Sequence, residues 1–180
     1  MYQDIKNQIL NLGADNVANI KVSEIVFDTM FRKICESNQC GYFGTSWSCP
    51  PLAGKAEDLV LEAKTYTDAI VFNKVYTIED SFDIEGMKEA DTYFKDLTVA
   101  VKKILLEYNL YNTLVLGTGS CHHCNRCAAK DNKHCYFPEK QLHSMDAYCI
   151  YVSKLAESAQ LKYINGKNTV TYFSVVLIKE

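Results

Sequence analysis

The chain has 180 residues, 48% of them hydrophobic, and a formal net charge of −3. This balance supports one packed domain over residues 1–180 and argues against disorder; with no basic field, nucleic acid is not an expected partner. No apolar run is long enough to span a bilayer, and the opening MYQDIKNQIL does not read as a secretory signal, so a cytoplasmic location without membrane contact is expected.

The first helix is expected over Tyr2 to Leu12, where Ile5, Ile9 and Leu12 recur at helical spacing and Gly13 offers a stop. Val17 to Phe27 alternates enough to predict a strand. Ile34 to Gly54 reads as a loop, because the tandem Pro50–Pro51 forbids a helix across it. A helix over Lys55 to Thr67 then leads into a strand from Asp68 to Thr77, whose apolar start suits a central position. Asp83 to Asn109 carries the longest helical stripe, and the acids from Glu79 to Asp91 read as its solvated start, favoured by the helix dipole. Thr113 to Leu116 is a short strand. Between Pro138 and Leu161 two short helices are expected, one capped by Ser144 and one over Ser153 to Gln160. Asn165–Gly166 signals a turn before the clearest strand, Thr169 to Ile178. The alternation predicts an α/β fold, an α+β sandwich on a mixed sheet flanked by helices. Cysteine-rich loops at 32–54 and 117–138 are expected to lie together at one end of that sheet.

Eight cysteines in a cytosolic chain point to metal or redox chemistry rather than to disulfides. Four of them, Cys121, Cys124, Cys127 and Cys135, are spaced C-x2-C-x2-C-x7-C, with Pro138 three residues beyond the last. Three thiolates at three-residue intervals, closed by a more distant fourth, suit a [4Fe–4S] cluster. Zinc is the rival, since four thiolates also make a closed tetrahedral site, although such sites usually pair two C-x2-C knuckles. His122, His123 and His134 are not needed as ligands and read as solvent-facing or supporting loop residues. GTGS at Gly117 runs into cysteines rather than into a helix, so it is no nucleotide loop.

Cys35, Cys40 and Cys49, spaced C-x4-C-x8-C and followed by Pro50, suggest a second site with three protein ligands. Its fourth position is open: Cys149, another side chain or a small-molecule ligand are the alternatives. Trp47, the one tryptophan, is placed to shield a site from water. Cys149 stands alone among apolar neighbours and reads as a core residue. Arg32 reads as a surface ion-pair residue, the alternative being a partner for an anionic cluster.

The stretches R-x2-C-x4-C-x2-FG-x2-W-x-CPP at Arg32 to Pro51 and C-x2-C-x2-C-x7-C-x2-P at Cys121 to Pro138, with the later SMDAY and NTVTYF, together resemble a family of small prokaryotic predicted metal-binding proteins of unknown function. The resemblance covers nearly the whole chain and implies a cysteine-ligated metal centre, iron–sulfur by preference. It supplies no reaction. The chain departs from the pattern at Cys149, where a glycine is expected after SM-x-AY. The reading that follows is an iron–sulfur protein in electron transfer or redox chemistry with a protein redox partner, and an enzyme if an open cluster site takes a small molecule. The alternative is a zinc-stabilised structural or binding module, or a metal-delivery partner, without redox activity.

Overall fold

A computed structural model describes residues 1–179. Two ten-residue strands form its centre, β2 (Asp68–Thr77) and β5 (Thr169–Ile178), paired antiparallel along their whole length. β1 (Asn16–Lys21) adds antiparallel to the free edge of β2, and β3 (Thr113–Gly117) adds antiparallel to β5. The short β4 (His143–Ser144) lies parallel to β3, giving a mixed sheet in the order β1-β2-β5-β3-β4.

Alternation in the central strands sends side chains to both faces, and each face is covered by helices. Ala69, Val71, Phe173, Val175 and Leu177 pack with Leu59 and Ala63 of α3 (Ala56–Ala63) and with Leu155 and Ala156 of α5 (Val152–Ser158). Ile70, Phe72, Val176 and Ile178 meet Ile5 and Ile9 of α1 (Tyr2–Asn11) and the stripe Phe94, Leu97, Val101, Ile104 and Leu105 of α4 (Ile84–Glu107). The remaining helix, α2 (Met30–Glu36), buries no residue. This is the expected α+β sandwich.

α4 begins at Asp83, whose carboxylate accepts the Gly86 N–H at 2.8 Å and the Glu79 N–H at 3.1 Å. These bonds hold the carboxyl below the usual carboxylate range. The acidic run is thus largely a helix start, as its composition suggests.

Three expectations need correction. The strand read over Val17 to Phe27 ends at Lys21, where the chain enters a 3-10 turn over Val22–Glu24, burying Val22 and Ile25 under the sheet. The helix expected at Ser144 is instead β4 followed by a tight turn, in which Ser144 Oγ accepts the Ala147 N–H at 3.0 Å. The capping chemistry is there, but the main chain of Ser144 and Met145 is taken up by pairing: Ser144 N–H donates to Ser48 O at 3.2 Å and Met145 N–H to Gly117 O at 3.0 Å. Within the expected loop from Ile34, α2 occupies the first three residues; a seven-residue helix with no buried face carries no apolar period to read.

Candidate metal centre

Both cysteine blocks come to the β3–β4 edge of the sheet. β3 delivers the chain at Gly117 into the long excursion that returns as β4, so the second block is anchored at both ends by adjacent strands. The first block leaves α2 and folds against that excursion. Ser48 joins the two. Its hydroxyl accepts the Cys121 N–H at 2.8 Å, lies 2.8 Å from Ser46 Oγ, and contacts Cys49 Sγ at 3.8 Å. Since the Cys121 bond uses an acceptor position, the Ser48 proton remains free for Ser46 or Cys49. Ser48 is fully buried.

The seven cysteines sort into two cavities along the lines of their sequence blocks. Cys121, Cys124, Cys127 and Cys135 line one, closed by Trp47, Tyr136 and Gln141. Trp47 thus covers the four-cysteine block rather than its own, with its indole N–H donating to Lys133 O at 3.0 Å. Cys35, Cys40 and Cys49 line the other, together with Tyr42, Phe43, Lys88, Asp91, Lys95 and Asp146. The cavity volumes differ: about 20 Å³ for the four-cysteine site and about 240 Å³ for the three-cysteine one.

Three of these thiols, Cys35, Cys49 and Cys124, resist ionisation on their own. Burial pushes Cys49 up to about 11, against a weaker opposing bond from Ser48. Burial, then Asp146 and Cys40, raise Cys35; burial and then the neighbouring block cysteines raise Cys124. A thiolate cluster is therefore stable here only with compensating positive charge, which a bound cation supplies with release of the thiol protons.

α4 supplies a lysine to each site. Lys95 is buried, pairs with Asp91 four residues earlier, and faces the three-cysteine cavity. Lys102, two turns further and so about 10 Å along the axis, donates to Gln141 O at 2.8 Å beside the four-cysteine site. Burial pulls the Lys102 ammonium down, while Cys121, Glu139 and Cys135 act the other way. Neither lysine was legible in the sequence, where both look like polar positions on an amphipathic helix.

Donor chemistry and spacing test what the four cysteines can hold. Soft thiolates select zinc, copper(I) or iron–sulfur clusters. A tetrahedral zinc with Zn–S near 2.3 Å draws its sulfurs to about 3.8 Å from one another. Among the described residues, the one group of three or more ligand atoms lying within 4.8 Å of each other is Asp96, His122 and His123, not any set of cysteines. No three of these sulfurs all lie within 4.8 Å of one another, so a zinc tetrahedron would need them to draw closer.

The histidines divide between the two expected settings. His134 is exposed, as read, but His122 and His123 are half-buried with ring centroids 4.4 Å apart, and His122 Nε2 lies 3.1 Å from Asp96 Oδ1. His122 Nδ1 and His123 Nε2 are buried without partners. Asp96 was missed because it lies on α4, far along the chain from the histidines.

Arg32 is not a surface ion-pair residue. Its guanidinium donates to Ala147 O at 3.0 Å and to Gly54 O, tying the first block to the turn after β4, and its charge acts on Cys35 and Cys149. Cys149 is fully buried, as read, and does not line the three-cysteine cavity. Its φ of 58° lies in the left-handed region that glycine adopts at least cost, which accounts for the glycine expected at this position.

Fold and cysteine sites together define a candidate metal-binding protein. Residues 18–178 match the family described as "Predicted metal-binding protein (DUF2284)", and the chain belongs to that family. Comparison with curated proteins and with solved structures gave no match. Among the described residues no helix is long and apolar enough to cross a membrane.

Proposed function

We propose that this metal-binding protein is an iron–sulfur protein of electron transfer or redox chemistry. Cys121, Cys124, Cys127 and Cys135 would hold one [4Fe–4S] cluster, and Cys35, Cys40 and Cys49 would contribute to a second centre. The observation that carries the reading is the sorting of these seven thiols into two cavities joined through Ser48. A cluster supplies reversible one-electron storage. The chain's own contribution is to exclude water with Trp47, to offset thiolate charge at the four-cysteine site with Lys102, and to link the sites. Ser48 gives a short path of bonds from Cys49 Sγ to the Cys121 backbone, the arrangement expected if an electron accepted from a protein partner at one centre passes to the other. The roomier cavity, one thiolate short, suits the centre that meets a small molecule.

One observation favours a second reading. The four-cysteine cavity, at about 20 Å³, has room for little more than one water-sized occupant. A single zinc would occupy such a space if the thiols closed by an ångström or more, making the site a structural brace. Anaerobic purification with iron, acid-labile sulfide and zinc analysis separates the readings. Iron with sulfide supports the cluster, and stoichiometric zinc without sulfide supports the brace.

A further inference from the structure

The three-cysteine site leaves its fourth ligand unassigned, and we infer that Asp146 supplies it: a carboxylate oxygen completes a Cys3Asp ligand set. The inference rests on the proposed iron–sulfur reading and specifies the coordination of its second centre.

Asp146 opens onto the same cavity of about 240 Å³ as Cys35, Cys40 and Cys49. Its place there is fixed by the backbone on both sides. Ala147 N–H donates to Ser144 Oγ at 3.0 Å, Arg32 donates to Ala147 O at 3.0 Å, and Cys149 N–H donates to Asp146 O at 3.0 Å. No side chain or backbone group of another residue donates a hydrogen bond to the carboxylate. A half-buried carboxylate to which no other residue donates loses hydration that the protein does not replace, and burial raises its pKa accordingly. Of the two lysines in the cavity wall, Lys95 is buried and already paired with Asp91, and Lys88 is exposed to solvent. Three thiols and a carboxylate therefore face one space whose wall holds no buried cation free to balance them. A metal centre balances all four.

Cys149, the alternative protein ligand, is fully enclosed and does not line that space. Oxygen is a harder ligand than sulfur and holds iron less firmly. The iron at Asp146 is then the exchangeable one, the position at which a small molecule with a carboxylate, thiol or amine donor would enter.

The test uses the full chain, reconstituted anaerobically with ferrous iron and sulfide, with iron and sulfide counts and EPR as readouts. Asp146→Ala is expected to keep the four-cysteine cluster but to lose one ferrous iron from the second, which after one-electron oxidation with ferricyanide gives the EPR signal of an oxidised three-iron cluster. Asp146→Cys is expected to restore the iron count with an altered EPR spectrum of the reduced second centre, and Cys149→Ala to leave both unchanged. If Asp146→Ala does not fold, Asp146→Cys decides: an EPR spectrum identical to that of the unmodified protein overturns the assignment. Full iron and an unchanged spectrum in Asp146→Ala overturn it too. A loss of second-centre iron in Cys149→Ala alone would transfer the role to Cys149. Absence of iron and sulfide from the unmodified protein would instead overturn the iron–sulfur reading itself, and the ligand assignment with it.

Discussion

Ser48→Ala removes a fully buried side chain that touches both cysteine blocks, and its cost follows from what the hydroxyl does. In a fully buried position it accepts the Cys121 N–H at 2.8 Å and shares a proton with Ser46 Oγ at 2.8 Å or Cys49 Sγ at 3.8 Å. Each net hydrogen bond contributes about 0.5–1.5 kcal/mol, but a buried donor left without an acceptor costs about 1–3 kcal/mol. Alanine leaves the Cys121 N–H in that state, so a loss of about 2–3 kcal/mol is expected in anaerobic urea unfolding of the metal-loaded protein. Ser46→Ala takes away a partner of Ser48 but leaves the acceptor for Cys121 in place, and should cost about 1 kcal/mol. The substitution at Ser48 should also speed metal loss from both sites, read as loss of visible absorbance on chelator challenge. A Ser48→Ala protein within about 0.5 kcal/mol of the unmodified one, or one less affected than Ser46→Ala, would refute the bridging role.

At Cys149 the usual order of alanine above glycine should reverse. The left-handed backbone there burdens any residue with a Cβ by about 1–2 kcal/mol, so Cys149→Gly should be at least as stable as Cys149→Ala in thermal melts. Lys102→Met should lower the midpoint potential of the four-cysteine centre in a redox titration, because it removes a positive charge that favours the reduced, more negative state; Lys102→Arg should hold it. Asp83 has a folded pKa below its unfolded value, so its contribution is present above about pH 4 and fades as the pH falls through the folded value. Asp83→Asn, which keeps an acceptor for Gly86 N–H without the charge, should flatten the acid limb of a stability–pH profile below about pH 4.

The sequence was most informative where burial repeats with a period. α4 and β5 were legible because Phe94, Leu97, Val101 and Leu105 mark one helical face and the run from Tyr172 to Ile178 fills a strand buried on both sides. β1 was read too long because Val22 and Ile25 are buried through a turn, which gives the same apolar spacing as a strand. The Ser144 signal was real as a hydrogen-bonding feature, but tertiary pairing to Ser48 and Gly117 decided the backbone. The cysteine spacing foretold which thiols share a cavity. It said nothing of Asp146, Lys95, Lys102 or Asp96, whose neighbours in space are 25 or more positions away in the chain or lie across the fold, and which look like ordinary polar residues locally.

The central claim is that two iron–sulfur centres occupy these cavities. Its most direct test is metal and sulfide analysis of the anaerobically purified chain, with EPR after chemical reduction. The account predicts iron and acid-labile sulfide in equal amounts, a paramagnetic cluster signal on reduction, and loss of the four-cysteine centre alone in Cys124→Ser. One zinc per chain with no sulfide and no EPR signal would contradict it.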